Sequence, residues 1–380
     1  MRRLYCNNCR VSGGMDLSIW IDQQTGEVKD QRKLEKWEQM KLGIIFSVRN
    51  HPENPYSLQE LYSEYLDDAV YADEVLGFDH LWMNEHHLSP DQWCPSPFTM
   101  LAAIAARTKK IRIGTGVLCL PLHNPLRVSE DIAVLDNISG GRFDLGVATG
   151  SSSEEFEAFK VPQKEMWRRA WEALDFISRT YSEERVTFEG EFYQYRDVWQ
   201  NTQPIQKPLP MWWGGFGPNS MKRAAERGFN LLGGNYPGYD DTLLALGQSL
   251  DDYQVAQVTA VHVAETREQA WDEAQNGLHW LMNFHRIRHK VPAGMGVNGP
   301  LETLPAPEEL RNVEGLYFMP GMPIYIGTPD TVREELLADC AGRRGRLTQL
   351  ALHFRLPGMR TPEVRRSMEL FRTEIMPSLR

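Results

Sequence analysis

Glu85, His86 and His87 stand side by side at the end of a short apolar and aromatic stretch, residues 78–83. A carboxylate followed by two imidazoles can accept, hold and return protons, so this triplet is the first candidate for chemistry. A second set of candidates is small and hydroxylic. Thr149-Gly150-Ser151-Ser152-Ser153 and Gly214-Gly215-Phe216-Gly217-Pro218-Asn219-Ser220 are turns, and the second leads straight into a helical pattern. Such turns expose backbone N–H groups, and the positive end of a following helix favours an anion, a phosphate above all. Glycine-rich turns also serve as plain tight connections, so each alone leaves both readings open. Two of them facing a histidine-rich strand end suggest a phosphorylated cofactor with His86 near its reactive part.

Other readings of these residues narrow the field. On extended backbone His87 must point away from His86, which makes it a packed, hydrogen-bonded imidazole rather than a second catalyst. Glu85, His86 and His87 with His123 have no helical metalloenzyme spacing and no cysteine beside them, and Cys6-Cys9 lacks a second ligand pair, so no metal is expected. Trp82, Trp93, Phe98, Trp212, Trp213 and Phe216 cluster near strand ends; most aromatics of this kind are core, and some are expected to wall an apolar substrate pocket. No strand-to-helix G-x-G-x-x-G unit is visible, which argues against a Rossmann nicotinamide site.

The elements that must position these residues form a repeated pattern. From residue 42 onward, short apolar runs alternate with amphipathic stretches of helical period, the signature of βα units around a parallel sheet. Strands are expected at 42–46, 78–84, 111–120, 143–148, 209–214, 230–232, 255–264 and 347–354. Helices come after them, the first opened by Ser57 with Glu60 three residues on. Eight such units predict an α/β fold, a (β/α)8 TIM barrel, in which the residues that do chemistry sit where strands end and βα loops begin. Residues 186–199, turning at Glu189-Gly190, predict a rim hairpin. Residues 289–323 are rich in Gly and Pro with little periodicity, and are expected to form a long lid loop.

Composition bounds the rest. The 380 residues are 42% hydrophobic and 24% charged, enough apolar material for one large core, so residues 40–380 are expected to form one domain. Residues 1–39 are polar and unlike the remainder of the chain, and read as a poorly ordered extension or an overlong start. A formal charge of −10 argues against a general nucleic-acid or anionic-membrane binder. Five scattered cysteines do not make a disulfide scaffold, no apolar run reaches membrane-spanning length, and no secretory h-region is present, so a cytoplasmic location is expected.

The run from Gly77-Phe78-Asp79 to Glu85-His86-His87 resembles the strand-two signature of the bacterial luciferase-like, flavin-dependent monooxygenases. The likeness continues through residues 101–108, Ile113-Gly114-Thr115-Gly116-Val117, His123-Asn124-Pro125-Leu126-Arg127, Ser139-Gly140-Gly141-Arg142-Phe143, residues 213–225 and Gly327-Thr328-Pro329. It covers about residues 41–380 and is specific collectively rather than in any one motif. It implies a (β/α)8 barrel binding reduced FMN at its C-terminal face, with the flavin supplied by a separate reductase. O2 would react there to a C4a-(hydro)peroxyflavin that oxygenates a small hydrophobic substrate, by hydroxylation or Baeyer–Villiger insertion.

The family's active-site histidine falls on His86, and Glu85 falls on a position that contacts or orients the flavin. Gly116-Val117 matches a place where the family can hold a cis peptide under the isoalloxazine ring, and phosphate contacts carry over to Ser151, Gly217 and Ser220, beside Gly214 and Gly215. Ala148 and Thr149 stand where the light-emitting subunit has a cysteine and an arginine, which puts light emission in doubt and removes a cation that Arg168 or Arg169 would have to replace. A sister group of the same fold uses F420 for hydride transfer; the Glu85-His86-His87 triplet favours the oxygenase. A non-catalytic flavin-binding partner subunit is a third reading, against which the intact His86 weighs. Members are commonly dimers packed through barrel helices, so a homodimer is expected.

Overall fold

The computed structural model describes residues 40–53, 56–215, 217–233, 238–288, 295–296, 299–300, 303–319, 321–342 and 346–380. The expectation for residues 1–39 therefore lies outside the described residues, as does the one for Phe216.

Strand β1 (Lys41–Phe46) is buried at every position after Lys41, as a parallel strand covered by helices outside and side chains inside must be. Seven further strands complete a ring: β2 (His80–Met83), β3 (Arg112–Thr115), β4 (Phe143–Ala148), β5 (Met211–Trp213), β6 (Asn230–Leu232), β7 (Val255–Val263) and β8 (Gln349–His353). Each pairs in parallel with the next, from Gly43 opposite His80 and Ile113 opposite Phe143 to Val255 opposite Leu231, and β8 closes the ring by pairing with both β7 and β1. This is the (β/α)8 barrel that the alternation of short apolar runs and helical stretches predicts.

Helices come after the strands: Leu58–Tyr71, Pro97–Arg107, Pro125–Ser139, Met166–Ser182, Pro218–Glu226, Tyr239–Ala245, Arg267–Arg288 and Thr361–Leu370. Ser57 caps the first of them as expected, its hydroxyl accepting from the Glu60 amide while Glu60 accepts from the Ser57 amide, each at 3.2 Å. The rim hairpin pairs Val186–Glu189 with Gln194–Val198. Inside the barrel Trp82 and Trp212 meet edge to face at 5.1 Å, while buried Trp213, the next residue of β5, turns outward and stacks on Trp171 of the helix Met166–Ser182 at 4.2 Å.

Two local expectations need correction. The third strand is not continuous over 111–120: β3 stops at Thr115, Leu118–Cys119 pairs separately with β4, and the cis peptide Gly116-Val117 lies between them. Residues 289–323 are not one bare loop. In their described part Met295–Gly296 pairs with Gly299–Pro300, and Tyr317–Met319 folds back on Met322–Gly327, which runs parallel to the end of β7; the remainder lies outside the described residues. The strand Met322–Gly327 and the helix Pro329–Gly342 after it have no clear signature in the sequence, where Gly321 and Pro323 look like loop residues. Pro323 is tolerated near the start of that strand, where its carbonyl accepts the Thr259 hydroxyl at 2.7 Å.

Candidate active site

At the C-terminal end of the barrel the strand ends enclose a cavity of about 400 Å³. The loop after β2 brings Glu85, His86 and Trp93 to its lining, the break after β3 brings Gly116, Val117 and Cys119, and the turn after β4 brings Ala148, Thr149, Gly150 and Ser151. Gly214 and Gly215 come from the end of β5, and His353 from the end of β8.

Glu85 is the most constrained of these groups. One oxygen accepts from His123 Nε2 at 2.7 Å and His87 Nε2 at 2.9 Å, and the other accepts from the Cys119 amide at 2.7 Å. Burial opposes its charge, but the His123 and His87 hydrogen bonds, the His123 charge and the Cys119 amide outweigh it and bring the carboxyl down to about 2. His87 thus points away from His86 and onto Glu85. The ligand atoms of Glu85, His87 and His123 all lie within 4.8 Å of one another, a grouping that could hold a metal ion, although the carboxylate already accepts three hydrogen bonds.

His86 turns the other way. Its Nδ1 lies 3.0 Å from the buried carboxylate of Glu155, which also accepts from the His87 amide at 2.9 Å. A carboxylate can only accept, so Nδ1 carries the hydrogen and the ring orientation is fixed. Trp93 packs edge to face on it at 4.2 Å and donates its indole N–H to Asn84 at 2.7 Å. Asn84 in turn donates to Ser47 at 2.6 Å.

One wall is built of small residues. A side chain at Gly214 would collide with Val117, and one at Gly116 would press on Trp82 and Leu232, so the backbone faces the cavity directly there. Thr149, Gly150, Ser151 and Gln163 form its hydroxylic end, Gln163 donating to the Ser151 carbonyl at 3.1 Å. Gly217 and Ser220 are not brought to the lining: the Ser220 hydroxyl accepts the Trp213 indole at 2.6 Å, and Gly217, at φ +89°, caps the helix behind the turn. Neither arginine replaces the missing cation. Arg168 pairs with Glu191, and Arg169 pairs with Glu165 at 2.9 Å and stacks on Phe192. No Lys or Arg lines the cavity among the described residues.

The opposite wall is largely apolar, and of the aromatics expected to wall such a pocket Trp93 does so. Leu281 and His285 of the long helix, and Phe318, Met319 and Met322 of the added strands, close the cavity with Trp93, Met166 and Trp167. The tryptophans Trp82, Trp212 and Trp213 are core instead. Glu155 and His353 join the site without a sequence motif of their own, apart from Glu155's place three residues after Ser152.

A parallel barrel with a carboxylate-held histidine, a small-residue wall and an apolar pocket at its C-terminal mouth has these features where barrel enzymes carry their chemistry. Residues 40–344 match the model of the luciferase-like monooxygenases, and the chain belongs to that family. It is 31% identical to limonene 1,2-monooxygenase of Rhodococcus erythropolis over 224 residues, 55% of this chain and 57% of that enzyme, so the matched stretch spans little over half of the relative. It is also 31% identical to an F420-dependent glucose-6-phosphate dehydrogenase of Nakamurella multipartita over 268 residues, 65% of this chain and 76% of the relative. Among solved structures, the monooxygenase RslO1 of Streptomyces bottropensis superposes with a TM-score of 0.73 at 26% identity, covering 90% of this chain and all of that one.

Proposed function

We infer that the protein is the oxygenase of a two-component system, using reduced FMN from a separate reductase and O2 to oxygenate a small hydrophobic molecule by hydroxylation or Baeyer–Villiger insertion. The observation that carries this reading is His86, held by buried Glu155 at the lining of an apolar cavity whose facing wall is backbone and small residues. The site fits a flavin. Gly116, Val117, Ala148, Gly214 and Gly215 leave room for a flat ring, and Thr149, Gly150, Ser151 and Gln163 offer neutral donors to a phosphate. When bound, the reduced flavin supplies two electrons to O2, one oxygen atom entering the substrate and the other leaving as water.

This chain's residues do the rest. His86 exchanges the proton that the reaction moves, and Glu155 keeps its ring in place. Glu85 holds His87 and His123 and anchors the Cys119 backbone, so it shapes the flavin wall instead of reacting. Trp93, Leu281, Phe318 and Met322 exclude water from the substrate side. A homodimer packed through barrel helices and a cytoplasmic location belong to the same reading. The helix Pro125–Ser139 exposes Val134 and Ile138, and no helix among the described residues is long and apolar enough to cross a membrane.

The match to F420-dependent relatives supports a second reading, hydride transfer to or from F420 without oxygen. A non-catalytic flavin-binding subunit would have no use for the His86–Glu155 pair. Anaerobic titration with reduced FMN and, separately, reduced F420, followed by rapid mixing with O2, tests all three. Binding of reduced FMN with oxygen consumption coupled to a substrate is expected. Tight F420 binding with no oxygen reactivity would replace the first reading with the second. Unchanged coupled turnover in His86→Ala would remove His86 from the chemistry.

A further inference from the structure

The chain has 15 methionines, and the accessible ones gather at the cavity. Of those whose burial is described, Met166, Met211, Met319 and Met322 are partly exposed and the others are buried. Three of these four line the cavity. Met166 opens the helix Met166–Ser182, while Met319 and Met322 are paired residues of the added hairpin that closes the apolar wall. Met211 starts β5, at the other end of the barrel. Leucine fills nearly the same volume without a sulfur, so packing alone does not call for three thioethers here. Among the described residues the lining holds one other sulfur, that of Cys119. Burial, and then the Glu85 and Glu155 charges, push its thiol well above its ordinary range, and a cysteine reacts with peroxide as the thiolate. A thioether has no proton to lose first, so the methionines are the readily oxidised groups of this wall.

We propose that Met166, Met319 and Met322 form a modification site, oxidised to methionine sulfoxide by hydrogen peroxide that arises in the cavity when no substrate occupies it. The proposal rests on the oxygenase reading and adds a regulation of its pocket. Without a substrate to take an oxygen atom, two electrons from the reduced flavin and two protons convert O2 to hydrogen peroxide. A methionine sulfur then gives its lone pair to one peroxide oxygen. The S–O bond forms as the O–O bond breaks, and the second oxygen leaves as water with both protons. The sulfur is thereby oxidised by two electrons and the peroxide reduced by two. A sulfoxide puts a polar group where the wall was apolar, so the wall admits water and holds a hydrophobic molecule less well. A chain that turns over reduced flavin with nothing to oxygenate thus disables its own substrate side, and sulfoxide reductases restore it.

Peptide mapping by mass spectrometry reads the modification, each sulfoxide adding one oxygen atom. The full chain, in excess over FMN, is taken through repeated cycles of flavin reduction and exposure to O2 with no substrate, while catalase destroys any peroxide that leaves the cavity. A second sample, without flavin or catalase, receives hydrogen peroxide from solution. The ratio of sulfoxide at Met166, Met319 and Met322 to sulfoxide at Met211 is expected to be several-fold higher in the cycled sample. An equal ratio in the two samples, or no sulfoxide at the three cavity methionines in either, would overturn the proposal. Nile red bound to the cycled chain should emit more weakly and further to the red, and methionine sulfoxide reductases A and B, one for each epimer, should reverse the change. Emission that ignores the oxidation, or a change that persists when Met166, Met319 and Met322 are all replaced by Leu, would overturn the regulation. If that triple variant does not fold, the mapping of the wild type decides alone. Oxygen consumed on the bound flavin without selective sulfoxide would defeat this proposal and leave the oxygenase reading standing. Failure to bind reduced FMN would instead defeat the oxygenase reading.

Discussion

The charge on Glu85 is what gathers His87, His123 and the Cys119 amide around one carboxylate, so Glu85→Gln removes that charge and replaces one of its two accepting oxygens with a donor. Breaking a buried ionic cluster from one side costs about 3 kcal/mol, readable as a lower urea midpoint. The effect depends on pH in a definite direction. The folded carboxyl is held at about 2 against an ordinary 4.5, so on acidification the unfolded chain takes up the proton first. The stabilisation is complete above about pH 4.5 and is lost as pH falls through about 2. The gap between wild type and variant should therefore be constant from neutral pH to about 4.5 and narrow below it; a gap that widened on acidification would contradict the assignment. His353 titrates in the same sense for another reason. Its ring is pushed from 6.5 to about 3, so the fold carries no penalty above pH 6.5 and a growing one below. Imidazole ¹⁵N shifts should show a neutral ring at pH 5, and a protonated one would refute its burial beside Arg49.

At the scale of elements, glycines separate building the barrel from shaping the site. A side chain at Gly146 would run into the Thr115 carbonyl on the neighbouring strand, where Thr115 and Gly146 exchange hydrogen bonds of 2.7 and 3.0 Å. Gly146→Ala should cost on the order of 3 kcal/mol, since backbone must move. At Gly214 the obstacle is the Val117 side chain on the cavity wall. Gly214→Ala should weaken flavin binding on the order of tenfold while the urea midpoint moves little, because a displaced wall is felt by the ligand before the fold. The barrel and its histidine-bearing strand end were legible because hydrophobic periodicity and strand-end position are local signals. The partner of His86 was not. Ser152 followed by Glu155 reads as a capping box on a surface helix, yet Ser152 makes no side-chain cap and Glu155 turns inward to His86. The added strand Met322–Gly327 was hidden for a related reason. Its Pro323 breaks the local pattern, and its pairing with β7 joins residues about sixty apart, which no local window shows.

Across the whole molecule the two ends of the barrel divide the work. The end opposite the cavity carries its own charged cluster: buried Asp144 accepts from His80 at 3.1 Å and Arg112 at 2.6 Å, while Asp73 takes the Lys109, Lys110 and Ile111 amides. Burial opposes the Asp144 charge, and the His80 and Arg112 hydrogen bonds bring its carboxyl below the usual range, much as the imidazoles do for Glu85. The two clusters are thus alike in energetics and differ in position, which makes them a test of where function resides. Asp144→Asn should destabilise the fold by about 3 kcal/mol, as Glu85→Gln does, because both take the negative charge and one accepting oxygen away from buried donors. The two variants should part company on ligand binding at a temperature where both remain folded. Asp144→Asn should bind reduced flavin like the wild type, because no ligand reaches that end of the barrel in the proposed reading. Glu85→Gln should bind it more weakly, because Cys119 and His123 shape the wall beside Gly116 and Val117. Equal loss of binding in both would mean that the site depends on overall rigidity and not on the local arrangement around Glu85.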